Sequence, residues 1–260
     1  MLEVRVVSLK EEPSSLVEAR KVFTDARVFP AVDMRRVEMD SLRDAELVSL
    51  SAHDTLRNGR KWDKELPSAG AVGLQHSVRL ALGENTDVPL LLMEEDCELM
   101  SHELVTQNVR HLLSMIDEFD VALFGAILFE GDKDKQSLFT TTNTKWYVPP
   151  EDGLVLLAHC VLYSPRGRAY LSEYLSRPME VQIDSLLNLL HRQGKLKLIY
   201  ETSSSLAKQG IHISDIQNHC PLCSVSPKQH VVSLHVLFAL ILVLLACLWT
   251  RTLLSRGKKQ

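Results

Sequence analysis

The sequence has no basic stripe, no internal repeat and no low-complexity tract. Lysine and arginine (29) fall short of aspartate and glutamate (33), a net charge of −4 with both signs mixed along the chain. Binding along a nucleic-acid backbone needs clustered positive charge, so nucleic acid is not expected as a partner. Cysteine is scarce and odd in number, five in all, with no disulfide-like spacing. Cys97 and Cys160 lie in apolar runs, which predicts reduced, buried thiols and a reducing compartment. The first nine residues lack the basic stretch and long apolar core of a secretory signal. Charged residues make up 24% and hydrophobic residues 45%, which suits one water-soluble domain with an appendage.

Long uncharged apolar runs are missing until residues 231–249. That stretch reads VVSLHVLFALILVLLACLW, without an acid, lysine or arginine, and about 19 such residues cross the hydrocarbon of a bilayer. Trp249 stands at its edge, as interfacial aromatics do, and Arg251, Arg256, Lys258 and Lys259 follow. The alternative, a buried core helix, has no later sequence to cover it. The expected organisation is a folded domain over 1–217, a juxtamembrane linker over 218–230, a transmembrane helix over 231–249 and a basic tail over 250–260. A membrane bilayer is therefore an expected partner. Without an N-terminal signal, this single-pass, tail-type anchor would leave the domain facing the cytosol; the basic tail by itself would favour the opposite orientation.

Residues 1–200 alternate between strand-like and helix-like patterns. Strands are predicted over Glu3–Leu9, Ala26–Val32, Val88–Met93, Asp120–Leu128, Leu154–Tyr163 and Leu196–Tyr200. Helices are predicted over Ser14–Thr24, Arg43–Ser49, Gly70–Leu82, Ser101–Glu118, Arg166–Leu175 and Val181–Leu190, with loops over Ser51–Ser68 and Glu130–Asn143. VPLLLM (88–93) is apolar throughout, as a strand covered on both faces is. The order implies an α/β fold with a mainly parallel central sheet and helices on both faces.

Glu94-Glu95-Asp96 follows VPLLLM directly. Ligands of open α/β sheets bind beyond the carboxyl ends of the strands. Carboxylates there can hold a hard divalent cation such as Mn2+ or Mg2+, which can neutralise a departing diphosphate. A solvated acidic turn is the alternative. His212, His219, Cys220, Cys223 and His230 include one CxxC. A single CxxC reads more readily as linker thiols, or as a lipidation point, than as a zinc site.

Several stretches occur in the order found in family 25 glycosyltransferases, the group that includes lipooligosaccharide and collagen galactosyltransferases. Val28-Phe29-Pro30-Ala31-Val32-Asp33 resembles that family's "AvDG" stretch. Gly70-Ala71-Val72-Gly73-Leu74-Gln75-His76-Ser77 resembles its "GEIGCxxSH" helix start. Leu91-Leu92-Met93-Glu94-Glu95-Asp96-Cys97 resembles "LILEDDV", the family's form of the metal motif. Phe119 to Gly125 resembles "WDllyLG", and His159 to Ser164 with Gly167 and Ala169 resembles "thaYiiSxxGA". Val181-Gln182-Ile183-Asp184 resembles "pvD", and Gln209 with Ser214-Asp215-Ile216 resembles the closing "Q…SDI". The resemblance spans roughly residues 3–217. It departs from the family at Ala71, Val78 and Glu95, and His76 stands one place before the family's histidine.

The resemblance implies a GT-A-type nucleotide-sugar-binding fold and inverting transfer of a hexose. The donor would be a nucleotide sugar such as UDP-galactose, and the acceptor a glycan or glycoprotein hydroxyl. Asp96, with Glu94, would hold the cation. Gly70, Gly73, Ser77, Glu94 and Glu95 would line the donor site, and His159 would touch donor or acceptor, the alternative being a satisfied core histidine. Asp184 would bind the acceptor or act as general base, the alternative being a helix-capping acid. His76 would be a stand-in at the family's histidine position. A catalytically degenerate, membrane-anchored binding protein is the other function these residues allow.

Overall fold

The computed structural model describes residues 1–59, 65–130, 137–141, 144–151, 153–202 and 205–210. The chain forms two compact units, Met1–His219 and Cys220–Gln260. The second lies outside the described residues, and so do the expected span over 231–249, the basic tail and the cysteine–histidine cluster. Among the described residues no helix is long and apolar enough to cross a membrane.

The elements follow in the order β1 (Glu3–Ser8), α1 (Ser14–Val22), β2 (Arg27–Pro30), α2 (Met39–Asp44), α3 (Leu50–Asn58), α4 (Ala69–Gly83), β3 (Leu90–Glu94), β4 (Cys97–Leu99) and α5 (His102–Ser114). Next come β5 (Val121–Leu123), β6 (Ile127–Glu130), β7 (Ser137–Thr141), β8 (Thr144–Tyr147), β9 (Leu154–Leu156), β10 (Cys160–Tyr163), α6 (Pro165–Tyr174), α7 (Ile183–Arg192), β11 (Leu198–Tyr200) and β12 (Ala207–Gln209).

Eight strands form one sheet in the order β2-β1-β3-β10-β5-β11-β8-β7. β1 is parallel to β2 and β3, and β5 is parallel to β11. β10 runs against both β3 and β5, and β8 against both β11 and β7. Six strands thus share a direction, with β10 and β8 opposed, so the sheet is mixed but mostly of one sense. β3 lies inside it, paired on both edges.

The period of two along β3 explains the unbroken apolar run. Leu91 and Met93 enter one core with Val4, Val6 and residues of α1 and α5. Leu90 and Leu92 enter the other with Val7, Val78 and Leu82, beneath α4, α6 and α7. Each such leucine, fully buried, contributes about 1.5–3 kcal/mol. A third cluster (Met34, Leu42, Val48, Ala52, Leu66, Val72) packs α2 and α3 against the start of α4.

Several predicted boundaries move. The 51–68 loop begins with α3, capped by Ser49, whose Oγ accepts from the Ala52 amide at 3.2 Å. The predicted Arg43–Ser49 helix lies earlier, at Met39–Asp44, because Glu46 takes a left-handed φ of 54° and ends the helical path. The predicted strand Leu154–Tyr163 is two strands in two sheets, broken at Leu157, whose φ is 74°. Asp120–Leu128 splits in the same way at Gly125, φ 66°. Part of the predicted 130–143 loop is β7, which pairs with β8. Trp146 of β8 is buried and donates to Asn108 Oδ1 of α5 at 3.1 Å, a long-range tie that no local pattern announces.

Candidate active site

Strand direction gathers the polar residues at one edge of the sheet. β1, β3, β5 and β11 all finish there, and β10, being reversed, starts there. The register places Val7 beside Glu94, Met93 beside Cys160 and Leu123 beside Tyr200. Ser8, Glu94, Gly125, His159 and Glu201 therefore share this edge, although up to 193 residues separate them in the chain.

Glu94 ends β3, and its amide donates to the His159 carbonyl at 2.8 Å. Its side chain borders a small cavity of about 10 Å³, with Leu74 and Val78 of α4, Tyr163 of β10 and Ile183 of α7 among the walls. That is room for about one water. Burial first, then the charges of Asp96, Asp184 and Glu95, hold the Glu94 carboxyl well above its ordinary value of 4.5. Burial, with the charge of Glu94, likewise raises the Tyr163 phenol.

Asp184 lies in the first turn of α7. It accepts from the Ser185 amide at 2.7 Å, and the nearby Leu157 amide also acts to lower its pKa. Helix N-termini favour carboxylates, yet burial outweighs these bonds and raises the Asp184 pKa. The N-cap of α7 is Gln182, which makes no side-chain cap bond, so Asp184 stands in the first turn and does not cap the helix.

Asp96 follows in the turn between β3 and β4. Its Oδ2 accepts from Gln209 Nε2 at 2.9 Å, and its carbonyl from the Gly210 amide at 2.7 Å, so β12 holds this turn in place. Glu95 points back to β1: Ser8 Oγ donates to Oε2 at 2.6 Å, and Lys10 Nζ lies 3.4 Å from Oε1. Below the turn, Cys97 and Cys160 are buried free thiols.

His159 is 1% exposed, and neither ring nitrogen has a hydrogen-bond partner in the protein. Burial lowers its pKa from 6.5 to about 4, leaving the ring neutral near pH 7. A buried imidazole without partners is costly, and this one sits beside the acidic edge. A Cβ added at Gly125 would come within 3.3 Å of its Nε2 and 2.0 Å of the Ala207 carbonyl. The Gly125 amide also donates to the buried Glu201 carboxylate.

The remaining expected site residues are placed differently. Gly73 faces the segment after β2, where a Cβ would meet the Val32 carbonyl at 2.4 Å. Ser77 is fully buried; its hydroxyl donates to the Gly73 carbonyl at 2.7 Å and accepts from the Val32 amide at 2.8 Å. Both residues lock α4 to residues 32–34, so the hydroxyl's bonds are spent inside the fold. Gly70 is half-buried in the first turn of α4. His76 is half-buried, and burial, with the charge of Arg79, lowers its pKa. Asp33 is exposed and paired with Arg35 at 2.7 Å. Sequence patterns missed Lys10, Leu157 and Glu201, and marked Ser8 only as standing, with Leu9, at the family's early Asn-Leu position. Glu201 alone had a local signal, an acid directly after the apolar run LIY, as Glu94 follows VPLLLM.

Among the described residues no group of three or more His, Cys, Asp or Glu side chains is arranged to hold a metal ion. The carboxylate oxygens of Asp96 and Glu94 are of the donor type that a hard cation takes.

No family model matches the chain, and no curated protein matches it. Solved structures do. A 4-diphosphocytidyl-2C-methyl-D-erythritol synthase from Anaerococcus prevotii is 12% identical, with 86% of this chain and 96% of that one covered, at TM-score 0.39. A 2-C-methyl-D-erythritol 4-phosphate cytidylyltransferase from Thermus thermophilus is 16% identical (86% and 98% covered, TM-score 0.40). A Bacillus anthracis protein described as a glucose-1-phosphate thymidylyltransferase, solved with sucrose, is 10% identical (87% and 96% covered, TM-score 0.41). Identities this low, with superpositions this loose, carry no functional weight.

Proposed function

We propose that this protein is a nucleotide-sugar-dependent glycosyltransferase of the family 25 kind, moving a hexose to a glycan or glycoprotein hydroxyl. The observation that carries this reading is that Glu94, Asp96 and Asp184 lie near one another at the carboxyl edge of β3, with the Glu94 carboxyl raised by burial first and then by the charges of its acidic neighbours. Like charges held together in a fold are what a bound cation and its diphosphate would relieve. The sequence resemblance supplies the reaction class and UDP-galactose as the first donor to try.

In this reading Asp96, with Glu94, holds a divalent cation; when bound, the cation would neutralise charge on the leaving diphosphate. Asp184 takes the proton of the acceptor hydroxyl as its oxygen bonds to the anomeric carbon and the bond to the diphosphate breaks. A carboxylate with a raised pKa suits that task near neutral pH. His159, neutral and unpartnered, binds a hydroxyl of donor or acceptor. Glu95 positions the turn through Ser8 and Lys10. Residues 231–249 anchor the protein in a membrane with the folded domain in the cytosol. Resistance to carbonate extraction, with protease sensitivity of the domain on intact membranes, is expected; release by carbonate or full protection would remove this part.

One observation favours a second reading, binding without turnover: Glu95, in the middle of the metal motif, is already engaged by Ser8 and Lys10. One experiment separates the two. Full-length protein in detergent is incubated with UDP-galactose and Mn2+, with and without glycan acceptors, and UDP release is followed. Metal-dependent release, abolished in Asp96→Ala at an unchanged melting temperature, is expected. No release together with Mn2+-dependent UDP binding by calorimetry selects the binding protein. Neither release nor binding removes both readings.

A further inference from the structure

A second concavity shares no lining residue with the small cavity beside Glu94. It has a volume of about 750 Å³ and is bounded by α4, the end of α6 with the turn after it, α7, and residues 43–50. This is within the size range of small-ligand pockets, roughly 300–1,000 Å³. Its apolar lining includes Val48, Leu175, Met179 and Leu186. Gln75 of α4 also lines it, is 2% exposed, and has an amide Oε1 without a hydrogen-bond partner in the protein. Core packing alone does not account for such a group, because burying an amide oxygen without a donor costs about 1–3 kcal/mol.

The rim indicates what would answer it. Glu46 and Glu180 are exposed carboxylates. The Arg177 guanidinium lies 4.9 Å from the Tyr174 ring centroid and takes part in no ion pair among the described residues. Arg43 is already paired with Asp44 at 2.8 Å and Asp40 at 3.3 Å, so the rim offers two acids and one arginine outside such pairs, too little charge of one sign to select an ion. Carboxylates, an amide and a guanidinium around apolar walls instead match a body with apolar C–H faces and several hydroxyls. An amide offers an acceptor on one side and donors on the other, and a hydroxyl answers either.

We infer that this cleft is a saccharide-binding site, with Gln75 bonded to a sugar hydroxyl and Val48, Leu186 and Met179 against the ring's C–H faces. The inference rests on the cleft alone and needs no sugar transfer at the carboxylates.

Saturation-transfer NMR on the full-length protein, with galactose, glucose, mannose, N-acetylglucosamine and lactose as probes, tests it. Saturation transfer to at least one probe is expected. Gln75→Met, which keeps the shape and removes the amide, should weaken that probe by about tenfold. Leu189→Trp, made at an exposed position on the cleft wall, should block it at an unchanged melting temperature. The experiment reads binding and not turnover, so it is decided whether or not UDP-galactose is consumed. No transfer to any probe, or an undiminished signal in either variant, overturns the inference.

Discussion

Glu94 and His159 are joined through one backbone hydrogen bond, yet burial displaces their protonation equilibria in opposite directions. The folded pKa of Glu94 lies above its ordinary 4.5, so over that interval the folded state binds more protons than the unfolded one. Its contribution is fully present below pH 4.5 and is lost as pH rises through the raised folded value. Asp184, raised by burial, acts in the same sense. For His159 the folded value of about 4 lies below 6.5, so stability is lost as pH falls through that window. The size of that loss is on the order of 3 kcal/mol. Glu94→Gln should therefore raise the melting temperature at neutral pH and flatten its decline above pH 4.5. His159→Leu should flatten the acid limb and leave the alkaline one. Melting curves across pH check both, and a Glu94→Gln variant less stable than wild type at neutral pH would show that the charge is compensated rather than strained. Mn2+ with UDP should stabilise wild type more at high pH than at low, because a cation competes with the protons these carboxylates retain.

At the scale of elements, the positions that break strands are the ones that build the site. Gly125 separates β5 from β6 with a left-handed φ and presses on the Ala207 carbonyl. Gly125→Ala combines backbone strain with a collision, so a loss of about 3 kcal/mol or more in urea unfolding is expected, together with weaker UDP binding as His159 and Glu201 shift. A variant as stable as wild type would mean that β12 can move aside freely. Much of the fold was legible from pattern. The all-apolar VPLLLM announced a strand covered on both faces, the acids after it marked the sheet's carboxyl edge, and the helical spacing in 101–118 gave α5. The rest was not, for a physical reason. Leu157 is an ordinary apolar residue, and nothing local says that it takes a left-handed φ and ends β9. Ser77 looked like a ligand contact because the motif holds a serine there. Its bonds to Gly73 and Val32, 45 residues apart in the second case, exist only once α4 meets β2. Pattern reports periodicity and residue type, whereas these roles depend on which distant carbonyl or amide arrives.

At the scale of the whole domain, the sheet has two polar edges with opposite logic. The carboxyl edge leaves acids crowded. The amino edge is closed by two buried arginines. Arg168 of α6 is fully buried; it donates to the carbonyls of Val88 at 2.8 Å, Ala81 at 3.3 Å and Leu82 at 3.3 Å, and lies 3.2 Å from Glu3 Oε2. Arg5 of β1 is 1% exposed, donates to the Ala81 carbonyl at 3.1 Å and pairs with Glu3 at 2.7 Å and Glu84 at 2.9 Å. These bonds serve the carbonyls that the end of α4 leaves unpaired, and they tie α4, α6 and the starts of β1 and β3 into one block. The same helix reaches the other edge, where Leu74 and Val78 of α4 wall the cavity beside Glu94. Arg168→Met keeps much of the side chain's length but strips the carbonyls of their donor and Glu3 of a partner. Removing one side of a buried charged network costs about 3–5 kcal/mol. The urea midpoint should fall accordingly with an unchanged slope, since the unfolded surface is the same. Mn2+-dependent UDP affinity, measured well below the unfolding transition, should stay within about twofold, because the lost bonds lie at the far edge of the sheet. A stability loss under about 1 kcal/mol would mean that water replaces the guanidinium. A large loss of UDP affinity in a well-folded Arg168→Met protein would mean that the two edges are coupled through α4, and that the positions of Leu74 and Val78 are set from the opposite end of the helix.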